Sequence, residues 1–151
     1  MEIKDRLLRG FMAGVAGGVV MDVFNLASYY LGIAELRFLD WSALVIYGAK
    51  PISIAETVFA LIAHLIFTGI LGIIFAYLLT LITSTNYLLR GALFGSTMWF
   101  LLYGISLMYK IEGTVPLHVD TAASDLISAV IFGLVLAETL HRLDNNLKTQ
   151  N

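Results

Sequence analysis

Four apolar stretches, each long enough to cross a lipid bilayer, constrain this chain more than any short motif in it. They run from about Leu8 to Tyr30, from Glu56 to Ile82, from Leu88 to Tyr109 and from Thr121 to Leu140. The hydrocarbon core of a bilayer is about 30 Å thick, and a helix needs about 20 residues to cross it. Lipid offers the backbone no hydrogen-bond partners, so unbroken runs of this length are expected to be helices. We therefore predict an all-α polytopic membrane protein, in which residues 1–151 form a single bundle of four transmembrane helices.

The composition indicates lipid, and not water, as the main solvent. Hydrophobic residues make up 59% of the chain and charged residues only 13%, whereas a soluble domain carries about 25% charged residues. The net charge of −2 provides no basic face for nucleic acid, which we exclude as a partner. Cysteine is absent, which excludes disulfides and thiolate metal sites. The lipid bilayer is the partner that the composition predicts.

Lysine and arginine are unevenly distributed between the two ends of the predicted helices. Six of the nine lie near the N-terminus, just before the third helix or near the C-terminus, and the other three are Arg37, Lys50 and Lys110. The cytoplasmic side of a membrane protein carries the excess of these residues. We therefore predict that both termini are cytoplasmic.

The segment between the first and second helices is too short and too interrupted to span the membrane. One interpretation is a short helix from Trp41 to Tyr47, capped by Asp40 and ended by Gly48 and Pro51. Trp41 and Tyr47 would hold it in the outer interface, where amphipathic aromatic rings settle. The alternative is an ordered loop with the same aromatic anchors. Either interpretation predicts a short interfacial segment between helices 1 and 2.

Small residues at helical spacing form a stripe along the first helix, and polar residues continue it. Its members are Gly10, Gly14, Gly18, Asp22, Asn25 and Ser28. Such stripes let helix backbones approach closely in lipid, so Asp22 should lie on the packed side of its helix. Matching faces occur on the third helix (Gly91 and Gly95) and on the fourth (Ala129, Gly133 and Ala137). Glycine faces of this kind could also join copies of the chain or a larger membrane complex.

Polar residues collect in the outer half of the predicted bundle. Six are candidates for binding inside it: Asp22, Asn25, His64, Ser106, Asp125 and Ser128. Three more would ring the mouth above them: Glu56, His118 and Asp120. Trp99 and Tyr103, one turn apart in the third helix, either line a ligand site or belong to a core aromatic stripe.

Two hypotheses follow for these polar residues. In the first, they form an outward-open cavity that handles ions, protons or a small solute. A buried carboxyl and a histidine can relay a proton, as Asp22 and His64 would. In the second, Asp22, Asn25 and His64 only hydrogen-bond across helices and fix the packing. The protein would then be a non-catalytic structural or assembly subunit of a membrane complex.

The motifs of the well-marked enzyme classes are absent from the sequence, which contains no HExxH, GxSxG, P-loop or GxGxxG. His118, Asp120 and Asp125 have metal-ligating side chains, but they occupy positions typical of helix caps, so a metal site is left open. His64 is the one histidine within a predicted membrane helix, which leaves haem without a second axial ligand from the same chain. We predict no cofactor. An enzyme acting on lipid or quinone stays an unmarked alternative.

A short pattern occurs twice. Leu7-Leu8-Arg9-Gly10-x-x-x-Gly14 recurs as Leu88-Leu89-Arg90-Gly91-x-x-x-Gly95, and both copies open a helix that leaves the cytoplasmic side. Two parallel hairpins related by an axis along the membrane normal would explain the repetition. The alternative is convergence, because an arginine followed by small residues is a common start for a membrane helix.

The opening of the first helix, the Gly-x-x-x-Gly start of the third and the closing ASDLISAVIFGLVLAETLHRL together resemble one known group of proteins. This is the YqhR/YagU-like group of small bacterial inner-membrane proteins. The resemblance implies a four-helix protein of the bacterial inner membrane. It transfers no functional residue.

Overall fold

The computed structural model describes residues 5–82, 85–111, 114 and 118–148. This part of the chain folds into five helices: α1 (Arg6–Tyr30), α2 (Phe38–Tyr47), α3 (Ile54–Leu78), α4 (Tyr87–Tyr109) and α5 (Val119–Lys148). All except α2 are long and apolar enough to cross a membrane. The prediction of an all-α protein with four membrane-spanning helices is confirmed.

The helix ends differ from the limits of the apolar stretches. α3 ends at Leu78, before Ile82, whereas α5 continues to Lys148, well beyond Leu140. Hydropathy marks where a helix leaves lipid, but a helix continues into water when polar side chains support each other one turn apart. In α5 the pair Glu138 and Arg142 provides such support, with 2.5 Å between Oε1 and Nε.

The four long helices form two hairpins that meet along one side. α1 packs against α3, α4 packs against α5, and α1 also packs against α5. The remaining neighbour pair, α3 and α4, makes no comparable contact over the described residues. At the end of the bundle where α1 begins and α5 ends, Arg9 of α1 lies 3.1 Å from Asp144 of α5. The hairpins therefore pack closely at α1 and α5, whereas α3 and α4 lie further apart and meet through the rings of Phe75 and Phe94, whose centroids are 5.0 Å apart.

Glycine lets the two helices of each hairpin approach at backbone distance. A Cβ atom added to Gly10 would lie 2.8 Å from the carbonyl oxygen of Gly72, and one added to Gly14 would meet the carbonyl oxygen of Thr68. In the second hairpin, a Cβ added to Gly95 would meet the carbonyl oxygen of Ala129. We call these two interfaces the α1–α3 seam and the α4–α5 seam. Both lie inside the chain, so an oligomer joined through the same faces would have to displace them.

The helical interpretation of the segment before α3 describes the structure, but the helix begins earlier than expected. α2 starts at Phe38 and not at Trp41, and Asp40 lies inside its first turn. The Asp40 carboxylate accepts a hydrogen bond from the Arg37 backbone N–H at 2.9 Å and pairs with the Arg37 guanidinium at 2.6 Å. This hydrogen-bonded pairing raises the pKa of Arg37 above its ordinary value. The helix ends at Gly48, which has a φ of +73° that suits glycine.

Trp41 does not serve as an interfacial anchor. It is only 6% exposed, and its ring lies 5.8 Å from that of Tyr103 in α4. Tyr47, at the other end of α2, is exposed and lies 6.5 Å from Phe59 of α3. The first turn of α2 is thus part of the protein core, and only its last turn is at the surface.

Candidate functional site

The α1–α3 seam brings an acid and an imidazole together. Asp22 follows Gly18 by one turn, His64 precedes Thr68 by one turn, and Gly18 contacts the Thr68 side chain. Asp22 Oδ1 therefore lies 3.2 Å from His64 Nε2, and each residue is only 6% exposed. The ring of Phe38, the first residue of α2, stacks on His64 at 5.8 Å and 14° between planes. The sequence prediction that Asp22 and His64 could form a pair is consistent with this geometry.

The hydrogen bonding of Asp22 is incomplete. Its Oδ1 and the His64 Nε2 are within ion-pair distance, but they are not aligned as a hydrogen bond. Its Oδ2 is buried without a hydrogen-bond partner among the residues that the structure describes. Buried polar atoms are almost always paired, so an exception in a native fold calls for an explanation. A cation or a water molecule would give Oδ2 a partner, and a proton on it would remove the charge that is costly to bury.

A second buried carboxyl has complete hydrogen bonding. Asp125 Oδ1 accepts from Asn25 Nδ2 at 2.9 Å, and Asp125 Oδ2 accepts from the Tyr103 hydroxyl at 2.8 Å. The Asn25 Oδ1 in turn accepts from the Phe38 backbone N–H at 2.7 Å. The network therefore connects α1, α4 and α5. It also includes α2, whose first backbone N–H group, that of Phe38, has no acceptor within its own helix. The sequence did not predict that Tyr103 belongs to this network. It marked Tyr103 only as an aromatic residue one turn from Trp99.

The two pairs, Asp22 with His64 and Tyr103 with Asp125, occupy related positions in the two hairpins, although the carboxyl lies on the first helix of one hairpin and on the second helix of the other. Asp22 follows Gly10 by 12 residues, and Tyr103 follows Gly91 by the same 12. On the returning helices, His64 precedes Gly72 by 8 residues, and Asp125 precedes Gly133 by 8. Each pair joins the two helices of its own hairpin, Asp22 with His64 and Tyr103 with Asp125. This agreement supports the repeat that the duplicated opening pattern suggested.

The other predicted site residues lie apart from these two clusters. Ser106 is buried and donates to the carbonyl oxygen of Leu102 in its own helix at 2.8 Å. Glu56 belongs to the start of α3, where it accepts from the Ile52 N–H at 2.8 Å. His118 is exposed and lies 2.8 Å from Glu35 Oε1. The common mouth expected of Glu56, His118 and Asp120 stays a prediction.

Two cavities lie next to the polar residues. One, of about 390 Å³, lies between α1 and α5 and is lined by Ser28, Asp120, Ser124 and Ser128 among apolar side chains. The other, of about 230 Å³, lies between α3 and α4 and includes His64 in its wall. We call the second cavity the α3–α4 groove.

The described residues contain no group of three histidine, aspartate or glutamate side chains that could hold a metal ion. In particular, Asp125 is buried in its network while His118 pairs with Glu35 at the surface. The arrangement offers an acid–imidazole pair inside a membrane-spanning bundle. Such a pair can exchange a proton or hold a small cation.

The fold and this pair define the class: a small polytopic membrane protein with ionisable groups buried between its helices. The chain belongs to DUF6789, a family of unknown function, whose profile matches residues 4–151. No curated protein and no solved structure matches the chain. The resemblance to the YqhR/YagU-like group stays a prediction.

Proposed function

We propose that this protein handles protons or small cations at the Asp22–His64 pair. The observation that carries the proposal is Asp22 Oδ2, a buried carboxyl oxygen without a hydrogen-bond partner among the described residues. A carboxyl that served only to join helices would gain most by pairing both oxygens, as Asp125 does. The unpaired oxygen is instead an acceptor on which a proton or a cation could bind.

The chemistry of the pair follows from its burial. An isolated carboxylate in a low-dielectric site costs several kcal/mol. The pair is therefore stable in two forms, a neutral acid beside a neutral imidazole or a carboxylate beside an imidazolium. Moving one proton from Asp22 to His64 interconverts them, and a cation at Oδ2 could replace the proton. The pair is buried inside the bundle. A proton could therefore travel between the pair and either side of the membrane only through further polar groups or water.

Proton flux into proteoliposomes tests this proposal. Asp22→Asn retains the size and polarity of the side chain but cannot ionise, so it should abolish proton or cation flux driven by a membrane potential. Asp5→Asn is the matched control, because it makes the same change at the exposed N-cap of α1, where the Asp5 side chain accepts a hydrogen bond from the Leu7 backbone N–H. Asparagine caps a helix about as well as aspartate, so this variant should leave flux unchanged. Flux in Asp22→Asn equal to that of the wild type would contradict the proposal.

The competing function is that of a structural or assembly subunit of a membrane complex. The Asn25–Asp125–Tyr103 network favours it, because this network is complete within the chain and needs no ligand. If that function is correct, Asp22→Asn should leave proton and cation flux unchanged. Substitutions on the outer surface of the bundle should then remove membrane proteins that co-purify with the wild type. The flux comparison separates the two functions.

A further inference from the structure

The two hairpins are built alike but packed unequally. In a bundle with two equivalent hairpins, the contact of α1 with α5 has a counterpart between α4 and α3. The first contact is extensive, and the second is not made to a comparable degree over the described residues. The α3–α4 groove lies where this contact is weak. Outside the groove the two helices meet through the rings of Phe75 and Phe94, whose centroids are 5.0 Å apart.

The groove faces lipid and is lined mainly by apolar and aromatic side chains. Phe67 of α3 is 53% exposed and Leu101 of α4 is 49% exposed, so its rim is open to the membrane. Deeper in the wall lie Met98 and Trp99 of α4. A molecule dissolved in the bilayer could enter sideways without crossing water.

One ionisable ring lies in this apolar wall. His64 lines the groove, and its Nε2 lies 3.2 Å from Asp22 Oδ1. A hydrogen bond from the ring to a molecule in the groove would therefore come from Nδ1. A plain acyl chain has no acceptor for an imidazole N–H, and leaving such a donor unpaired against hydrocarbon is unfavourable. The groove is therefore complementary to a flat ring that carries a hydrogen-bond acceptor.

We propose that the α3–α4 groove binds a lipid-soluble quinone-type molecule, with a ring carbonyl oxygen accepting a hydrogen bond from His64. A cavity of about 150 Å³ lined by apolar side chains can hold benzene, so a groove of about 230 Å³ accommodates a substituted ring. The hydrophobic tail would leave through the open rim between Phe67 and Leu101. This inference rests on the proposed function, because it supplies the Asp22–His64 pair with a ligand.

Tryptophan fluorescence tests the binding. The chain has two tryptophans, and Trp41→Phe removes the one outside the groove, whose indole N–H makes no hydrogen bond to the described residues. In nanodiscs, a benzoquinone with a short alkyl tail should then quench Trp99 saturably. Quenching that rises linearly, without saturation, would overturn the proposal.

Variants of this single-tryptophan protein separate the site from the surrounding lipid. Leu101→Phe narrows the rim and should weaken binding about tenfold, while Leu93→Phe makes the same change on a lipid-exposed part of α4 outside the groove and should have no effect. His64→Leu removes the hydrogen bond and should also weaken binding about tenfold. Equal affinity in Leu101→Phe and Leu93→Phe would overturn the site. Displacement of the quinone by an alkyl alcohol of equal chain length would show that the groove takes chains and not rings.

The binding and proton-handling proposals can fail separately. Asp22→Asn retains His64 and should still bind the quinone while losing flux. Saturable binding together with normal flux in Asp22→Asn would support the groove ligand and contradict proton handling at Asp22. Loss of flux in Asp22→Asn, without saturable quinone binding in the wild type, would support proton handling at Asp22 and contradict the groove ligand.

Discussion

Asp22 and Asp125 are both buried acids in membrane-spanning helices, yet their surroundings differ atom by atom. Each oxygen of Asp125 accepts a hydrogen bond, from Asn25 and from Tyr103. Asp22 lies within ion-pair distance of His64 through one oxygen, and the other has no partner among the described residues. Packing accounts fully for the first residue. For Asp22, packing alone would leave a buried carboxyl oxygen without a hydrogen-bond partner. This is why we propose a chemical role for Asp22.

The difference predicts opposite responses to the same substitution. In Asp125→Asn the amide oxygen can still accept from Asn25, but the N–H₂ group then faces the Tyr103 hydroxyl, which loses the acceptor for its own O–H. We therefore expect a loss of about 1–3 kcal/mol in the free energy of unfolding. Asp22→Asn meets no such conflict and should unfold at the same or a higher denaturant concentration. Denaturant unfolding in mixed detergent micelles, followed by helicity, measures both. Equal destabilisation of the two variants would show that Asp22 is also held by a complete network.

At the scale of elements, the backbone contacts in the two seams position the polar groups. Gly10 and Gly14 bring α1 against Thr68 and Gly72 of α3, which places Asp22 opposite His64. In lipid, close packing of this kind replaces the hydrophobic driving force between helices. The pair therefore depends on glycines that lie at least one turn away from it.

A single methyl group tests this dependence. At Gly14 a Cβ would collide with the backbone of α3, whereas at Gly104 in α4 it would meet nothing within 4 Å. Gly14→Ala should therefore cost about 1–3 kcal/mol of stability through overpacking, and Gly14→Leu should prevent folding. Gly104→Ala is the control and should be neutral or slightly stabilising. If Gly14→Ala unfolds like Gly104→Ala, α1 and α3 do not meet at this seam.

Sequence reasoning predicted the four long helices because each has an apolar run of membrane length. It placed Asp22 on the packed face of α1 from the four-residue glycine spacing. It did not identify α3 as the helix that packs against this face, although Thr68, Gly72 and Ala76 repeat the same spacing. Small residues are compatible with several partners, so pairing is decided only when the helices assemble.

The start of α2 and the role of Tyr103 could not be predicted for a related reason. The Phe38 N–H is satisfied by Asn25, 13 residues earlier, and Tyr103 reaches Asp125 from another helix. Local patterns such as Asp40 before Trp41 carry no information about these distant contacts. The charged and polar residues of the sequence identified the candidate site. Only the fold shows that the Asn25–Asp125–Tyr103 network is fully hydrogen-bonded, whereas the Asp22–His64 pair is not.

At the scale of the whole molecule, two similar hairpins form an asymmetric bundle. Each hairpin has a seam and a buried pair, Asp22 with His64 in the first and Tyr103 with Asp125 in the second. Only one of the two expected contacts between hairpins is extensive, and the α3–α4 groove opens beside His64. The cytoplasmic location of both termini stays a prediction from the distribution of lysine and arginine. Labelling a single cysteine at Glu35 from outside the cell would check it.

The central claim is that Asp22 exchanges a proton inside the folded protein. Infrared difference spectroscopy between two pH values records the carbonyl band of a carboxyl group that gains or loses its proton. We expect a band from a buried carboxyl that disappears in Asp22→Asn and persists in the exposed control Asp5→Asn. A difference spectrum unchanged by Asp22→Asn would contradict the account.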